Sequence, residues 1–126
     1  MDKVQLCQPV ELVFVDPARF LRLSHERGAQ SAEAMAALAV EEIVMRVSAA
    51  EAAWQAGELS RLSKVARSLV GLSREIGLAT LADVASFVAE EATAGESAAL
   101  AALVARLSRV SHCSVSAASE LGHLRL

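Results

Sequence analysis

Apolar side chains recur every three or four residues along most of the chain, which is the spacing of one face of an α-helix. The first stripe follows a candidate N-cap at Ser31 and comprises Ala36, Val40, Ile43, Val47, Ala50 and Trp54. The second comprises Leu59, Leu62, Ala66, Leu69, Ser73 and Ile76. The third comprises Leu81, Val84, Ala85 and Val88, and the fourth Leu100, Leu103, Leu107, Val110, Ala117 and Leu121. The pattern therefore predicts four amphipathic helices.

Glycines separate the stripes. Gly57, Gly77 and Gly95 follow the first, second and third stripe, and Gly77 has the position of a C-terminal glycine cap. The hydroxyl of Thr80 is a candidate cap for the third helix. The serine-rich run "SHCSVSAAS" (111–119) is a candidate break in the fourth. Because short connectors make consecutive helices antiparallel, the predicted fold class is all-α, an antiparallel up-down four-helix bundle.

The N-terminal segment has a different pattern. The run "VELVFV" (Val10–Val15) is rich in β-branched residues, and Asp16 followed by Pro17 is a helix-start signal. We therefore predict a strand-like arm and then a short extra helix that ends near Gly28. No second strand is evident in the sequence, and a lone strand needs a partner for its backbone groups. The arm is thus expected either to pair with its copy in a homodimer or to lie extended on the bundle.

Composition narrows the classes of function. A chain of 126 residues suits a single domain, with the arm and short helix in 1–30 and the bundle in 31–126. A net charge of −3 argues against a general nucleic-acid binder. No apolar run approaches the roughly 18 residues of a membrane span. We expect a cytoplasmic protein in which Cys7 and Cys113 are buried or idle thiols, in preference to a disulfide or a metal site.

The segment "AAWQAGELSRLSKVARSLVGLSREIGLATLADVASFVAEEATAG" (52–95) resembles the histidine-containing phosphotransfer (HPt) domain of bacterial phosphorelays. The matching positions are Gly57, Glu58, the run Ala66–Ser73 apart from Arg67 and Val70, Gly77, Leu81, Ala82, Ala85 and Glu90. The resemblance extends from Val40 to about Val110. It implies a four-helix bundle that acts in two-component signalling, with a response-regulator receiver domain or a histidine kinase as the partner.

Two positions depart from the family pattern. Arg67 and Val70 stand where the resemblance places the phosphoryl-accepting His and the phosphate-neutralising Lys. A guanidinium stays protonated and has no nitrogen lone pair to offer a phosphorus centre, whereas a neutral imidazole has one. We therefore expect no phosphoryl transfer at this position, no enzymatic activity and no cofactor.

The solvent side of the second helix could still bind a partner. Lys64, Arg67, Gly71 and Arg74 fall on one face by spacing, with Ser68 beside them. The resemblance implies that this face meets receiver domains, whose active sites are lined by carboxylates, and Arg67 could hold a carboxylate through a bidentate pair. The predicted partner-binding residues are Lys64, Arg67, Ser68, Val70, Gly71 and Arg74. The alternative is that these cations are ordinary solvated charges.

A second function remains open from the sequence, a structural homodimerisation module without a phosphorelay role. It would use the arm, with Val10, Leu12 and Phe14 as its contact residues. His25 and His112 lack the neighbours of a phosphoryl acceptor. His25 is expected to be an exposed residue at a helix end, and His112 to have a surface or packing role. The helix-borne glutamates show no metal-ligand spacing with a histidine, so no metal site is predicted.

Overall fold

The computed structural model describes residues 3–7, 11–95 and 97–122. Its elements are β1 (Lys3–Cys7), β2 (Glu11–Val15), α1 (Pro17–Arg27), α2 (Ala29–Gln55), α3 (Leu59–Glu75), α4 (Ala79–Ala94) and α5 (Ser97–Gly122). Helices α2 to α5 each pack against the next in chain order, and α5 packs back on α2, which closes the ring of a four-helix bundle. The predicted fold class is confirmed.

The core is built from the predicted stripes. Ile43 and Val47 of α2, Leu62 and Leu69 of α3 and the matching positions of α4 and α5 are buried. Several core positions are alanines, which let neighbouring helices approach closely. Burial of one face on each helix is what orients the opposite face of α3 towards solvent.

The short helix α1 begins and ends as predicted. The side chain of Asp16 caps it by accepting a hydrogen bond from the backbone N–H of Ala18 at 3.0 Å, and Pro17 is its first residue. Gly28, with φ +86°, ends α1, and α2 begins at the next residue. The prediction of Ser31 as N-cap of α2 was therefore wrong, because the glycine turns the chain three residues earlier.

The serine-rich run does not interrupt α5, contrary to the predicted break. The Ser111 hydroxyl donates to the Ser108 carbonyl at 2.9 Å, within the same helix. Ser114 is buried and the helix continues to Gly122. The serines are tolerated because tertiary packing, and not helix propensity alone, holds this segment.

The N-terminal arm is one strand of a hairpin within the chain. β1 and β2 pair antiparallel with Lys3 opposite Val15 and Cys7 opposite Glu11. The expectation that the chain has no second strand for the arm was therefore wrong. The sequence of β1 ("KVQLC") has no strong strand signal, and this segment is a strand because it pairs with β2. The hairpin packs on α4 and α5, so the arm lies on the bundle and does not need a second copy of the chain as its partner strand.

The two faces of β2 differ in burial. Val13 and Val15 are each 1% exposed and belong to the core, whereas Leu12 is 59% and Phe14 37% exposed. Of the predicted dimer-arm residues, Leu12 and Phe14 thus face outwards, and Val10 lies outside the described residues. At the far end of β2, the Glu11 carboxylate pairs with Arg106 at 3.5 Å and with Arg109 at 3.2 Å, both on α5.

The turn between α3 and α4 anchors the hairpin. The backbone N–H of Asp16 donates to the Gly77 carbonyl at 2.7 Å, and Val15 forms a β-bridge with Leu78. The Phe14 N–H donates to the Thr80 hydroxyl at 2.7 Å. Thr80 therefore lies inside α4 and holds the strand, whereas the sequence had predicted it to cap the helix.

The expectation of two buried or idle thiols was wrong for the bonding state of Cys113, which is disulfide-bonded in the structure. Cys113 lies on α5 and is 2% exposed. The same expectation for Cys7 concerns a side chain outside the described part of the chain.

Candidate partner-docking site

The site is the solvent-facing side of α3. One side of this helix is buried in the core through Leu62, Ala66 and Leu69, and the opposite side is exposed. We call the exposed set the basic stripe, which consists of Lys64, Arg67, Ser68, Gly71 and Arg74. The structure therefore brings these five of the six predicted binding residues together on one open surface.

The sixth predicted residue, Val70, is less accessible than the others. It is half-buried and packs against the core. It is three residues from Arg67 on the helix, so the two side chains are neighbours along one side of α3. Val70 thus forms the apolar border of the basic stripe and leaves only part of its surface for a partner.

The cations of the basic stripe form no ion pair among the residues that the structure describes. Arg61, beside the stripe, pairs with Glu58 at 3.8 Å. Within the described residues, no carboxylate lies within 4.0 Å of a nitrogen of Lys64, Arg67 or Arg74. These three side chains are exposed and form no ion pair with a described residue, so an acidic partner would meet charges that these residues do not neutralise.

No side chain of a described residue covers the α3 backbone at the centre of the basic stripe, at Gly71. Gly71 has no side chain, and nothing lies within 4 Å of the position that a Cβ atom would take there. The Ser68 hydroxyl donates to the Val65 carbonyl of its own helix at 2.7 Å, so its remaining capacity is to accept. A partner can therefore approach the α3 backbone closely between Arg67 and Arg74.

A residue of α2 that the sequence did not single out borders the basic stripe. The Arg46 Nη1 donates to the Ser68 carbonyl at 3.2 Å, and its Nε donates to Glu42 Oε1 at 3.1 Å. The half-buried guanidinium thereby ties α2 to the middle of α3. The spacing of Glu42 and Arg46 along α2 could have indicated their pairing, but the contact with Ser68 depends on the packing of two helices.

The remaining candidates lie apart from the basic stripe. His25 is exposed near the end of α1, as expected, and His112 is exposed on α5. Among the described residues, no three His, Cys, Asp or Glu side chains are grouped so that they could hold a metal ion. No helix in the described ranges is both long and apolar enough to span a membrane.

The side chains of the basic stripe can bind acidic groups, but Arg67 at its centre offers no lone pair for nucleophilic attack. Guanidinium and ammonium groups donate hydrogen bonds to carboxylate or phosphate oxygens and accept none. Arg67 offers a planar pair of N–H donors that matches a carboxylate, and Lys64 adds a mobile point charge. The donors of the basic stripe are therefore suited to recognition of acidic groups.

A known structure shares this architecture. The histidine-containing phosphotransfer protein B (HptB) from Pseudomonas aeruginosa PAO1 superposes with a TM-score of 0.79, over 86% of this chain and 93% of that chain. The chain has the HPt fold. Sequence identity to HptB is 22%, so the likeness extends to the fold alone. No protein-family model and no curated protein matches the sequence.

Proposed function

We propose that this protein acts in two-component signalling by docking a receiver domain, or a histidine kinase, on the basic stripe without accepting phosphate at position 67. The observation that carries the proposal is the state of Arg67, which is exposed at the middle of α3 and unpaired among the described residues. The HPt fold supports the proposal, because the family resemblance implies that this face of this helix meets receivers. The proposal places the protein in the cytoplasm and requires no cofactor, metal or catalytic group.

Docking would rest on charge complementarity around a close backbone approach. A carboxylate of the receiver active site would accept two parallel N–H donors from Arg67, a pair that also fixes orientation. Lys64 and Arg74 would add longer-range attraction, which screening by salt weakens. Gly71 would leave room for the partner's backbone. Transfer would not follow, because the guanidinium has no lone pair with which to attack phosphorus.

The test is a binding titration with receiver domains by calorimetry. We expect Arg67→Glu to weaken binding at least about tenfold, since replacing an attractive pair by like charges costs ~1.4 kcal/mol or more. Arg61→Glu is the matched control, because Arg61 is also exposed on α3 but lies beside the basic stripe and already has Glu58 as a neighbour. Its effect should stay within about twofold.

Ionic strength gives an independent readout of the same proposal. Raising it from about 0.1 M to about 1 M shortens the Debye length from roughly 10 to 3 Å, so wild-type affinity should fall. Binding that is indifferent to both salt and Arg67→Glu would show that the basic stripe is not the docking site.

A second candidate function, homodimerisation, is favoured by the outer face of the hairpin. Leu12 and Phe14 are exposed there, and Phe87 on α4 is 49% exposed. Phe87 lies two turns after Thr80, the residue whose hydroxyl accepts the Phe14 N–H, and on the same side of α4. Exposed large apolar side chains on the hairpin and on the helix against which it packs are typical of a contact surface.

Solution mass tests the second candidate. Light scattering should show a dimer for wild type, and Leu12→Lys should shift it to a monomer because a charge would enter the apolar contact. Val44→Lys is the control, since Val44 is 51% exposed on α2 and not on the hairpin face. A wild-type protein that is monomeric at every concentration would rule out the dimer.

A further inference from the structure

A groove between α2 and α5 is distinct from the basic stripe. It has a volume of about 340 Å³ and lies where Glu51 and Trp54 of α2 face Ala101, Val104, Ala105 and Ser108 of α5. Two of the residues that line it on α5 are alanines, whose side chains are short. Its size is at the lower end of the ~300–1,000 Å³ range of ligand pockets, which suits a single side chain or a small molecule.

Glu51 supplies a fixed negative charge on the wall of this groove. The Ser108 hydroxyl donates to Glu51 Oε2, which orients the carboxylate. None of the ion pairs formed by the described residues includes Glu51. Its other oxygen, Oε1, accepts no hydrogen bond from the described residues. The groove therefore presents a half-buried, preoriented carboxylate that forms no ion pair with a described residue.

Trp54 supplies the second recognition element. Its indole is half-buried, so part of the ring forms the groove wall and part packs against the core. The face of an indole attracts cations, and tryptophan is the strongest aromatic partner for them. A carboxylate and an indole that line the same groove are a combination suited to a flat, positively charged group.

We propose that this groove binds the side chain of an arginine from a partner polypeptide. A guanidinium can stack on the Trp54 ring and donate two N–H groups to Glu51, whereas a lysine ammonium has no planar face to stack. The arginine stem would lie over Val104 and the alanines of α5. Charge complementarity selects this occupant, since the only charged group that lines the groove among the described residues is a carboxylate.

The groove and the basic stripe can act independently. The groove lies between α2 and α5, whereas α3 packs against α2 and α4. One partner could therefore occupy the groove while another occupies the basic stripe. The inference does not depend on receiver docking.

Trp54 is also the reporter for the test. The chain contains one Trp and no Tyr, so tryptophan emission arises from the groove itself. We would titrate the full chain with N-acetylarginine amide, which mimics the residue within a polypeptide. Its uncharged counterpart N-acetylcitrulline amide and N-acetyllysine amide serve as ligand controls. We expect a saturable change in emission with the arginine probe, and at least about tenfold weaker binding of both controls.

Two variants separate recognition by charge from a general effect on the helix. Glu51→Gln keeps a hydrogen-bond acceptor for Ser108 and removes the charge, and we expect it to weaken the arginine probe at least about tenfold. Glu41→Gln is the matched control on α2, since Glu41 is exposed and does not line the groove. Far-ultraviolet circular dichroism checks that both variants retain their helices.

The proposal is overturned by any of three results. These are no saturable response to the arginine probe, equal affinity for the citrulline probe, or a folded Glu51→Gln that binds arginine as wild type does. If Glu51→Gln does not fold, the comparison of the arginine and citrulline probes on wild type decides the question. Loss of receiver binding in Arg67→Glu leaves this result untouched, so failure of one proposal is distinguishable from failure of the other.

Discussion

The double variant Arg67→His, Val70→Lys is expected to accept a phosphoryl group from a phosphorylated receiver domain, whereas the wild-type protein accepts none. An imidazole at position 67 would be exposed on the open face of α3 and would present a neutral nitrogen near pH 7. A lysine at position 70 is three residues away on the same side of the helix, within reach of the phosphoryl oxygens. The variant therefore supplies the nucleophile and the cation that the family pattern contains.

The two single variants separate the contribution of the nucleophile at position 67 from that of the positive charge at position 70. Arg67→His alone should accept label about tenfold more slowly than the double variant, because the missing ammonium withholds ~1.4 kcal/mol of transition-state stabilisation. Val70→Lys alone should accept none. Radiolabel transfer from a phosphorylated receiver, followed by gel separation, measures all three.

A control variant with the histidine elsewhere on the same surface tests whether position 67 itself matters. Arg74→His, combined with Val70→Lys, creates an exposed imidazole two turns of α3 further on, and it should remain unlabelled. Label on this control as strong as on Arg67→His, Val70→Lys would show that any exposed histidine suffices. Label on wild type would point to another histidine, His25, His112 or His123, and would contradict the expectation that wild type accepts none. A double variant that binds receivers without accepting label would show that the relay geometry is absent.

Gly77→Ala should lower the free energy of unfolding by ~3 kcal/mol, the largest stability effect that we expect from a single methyl group. Gly77 has φ +81°, in the left-handed region that a side chain disfavours. A Cβ there would also collide with the carbonyl oxygen of Asp16 and lie 3.3 Å from Arg19 Cβ. The first neighbour is backbone and cannot rotate away.

The cost of Gly77→Ala is coupled to the hairpin. The Gly77 carbonyl accepts the Asp16 N–H, so movement that relieves the collision would break the link between the α3–α4 turn and the end of β2. Gly57→Ala is the matched control, with φ +73° but open space around the added methyl. It should cost only the backbone strain, ~1 kcal/mol.

Urea unfolding followed by circular dichroism measures both glycine variants. Equal destabilisation by Gly77→Ala and Gly57→Ala would show that the contact with Asp16 contributes nothing and that backbone conformation alone matters. A decrease in the slope of the transition for Gly77→Ala alone would indicate that the hairpin separates from the bundle before the helices unfold.

The basic stripe illustrates how much of a site a local pattern contains. The exposure of Arg67 and Arg74 was predictable, because on a helix the face opposite a buried stripe must meet solvent. The half-burial of Val70 was not, since it depends on how the neighbouring helices pack against α3. The bond from Arg46 to Ser68 was also unpredictable, because it joins residues 22 positions apart on two helices.

The sequence by itself determined the four helices, their buried faces and the exposed cations of α3, because these follow from a period of 3.6 residues and from glycines that end each helix. Only the tertiary structure decided that β1 pairs with β2, that Thr80 holds Phe14 and that Glu51 and Trp54 line one groove. Each of these contacts joins segments that are far apart in the sequence and that no repeating local pattern connects. The contact therefore stabilises the protein only once the bundle has brought the segments together.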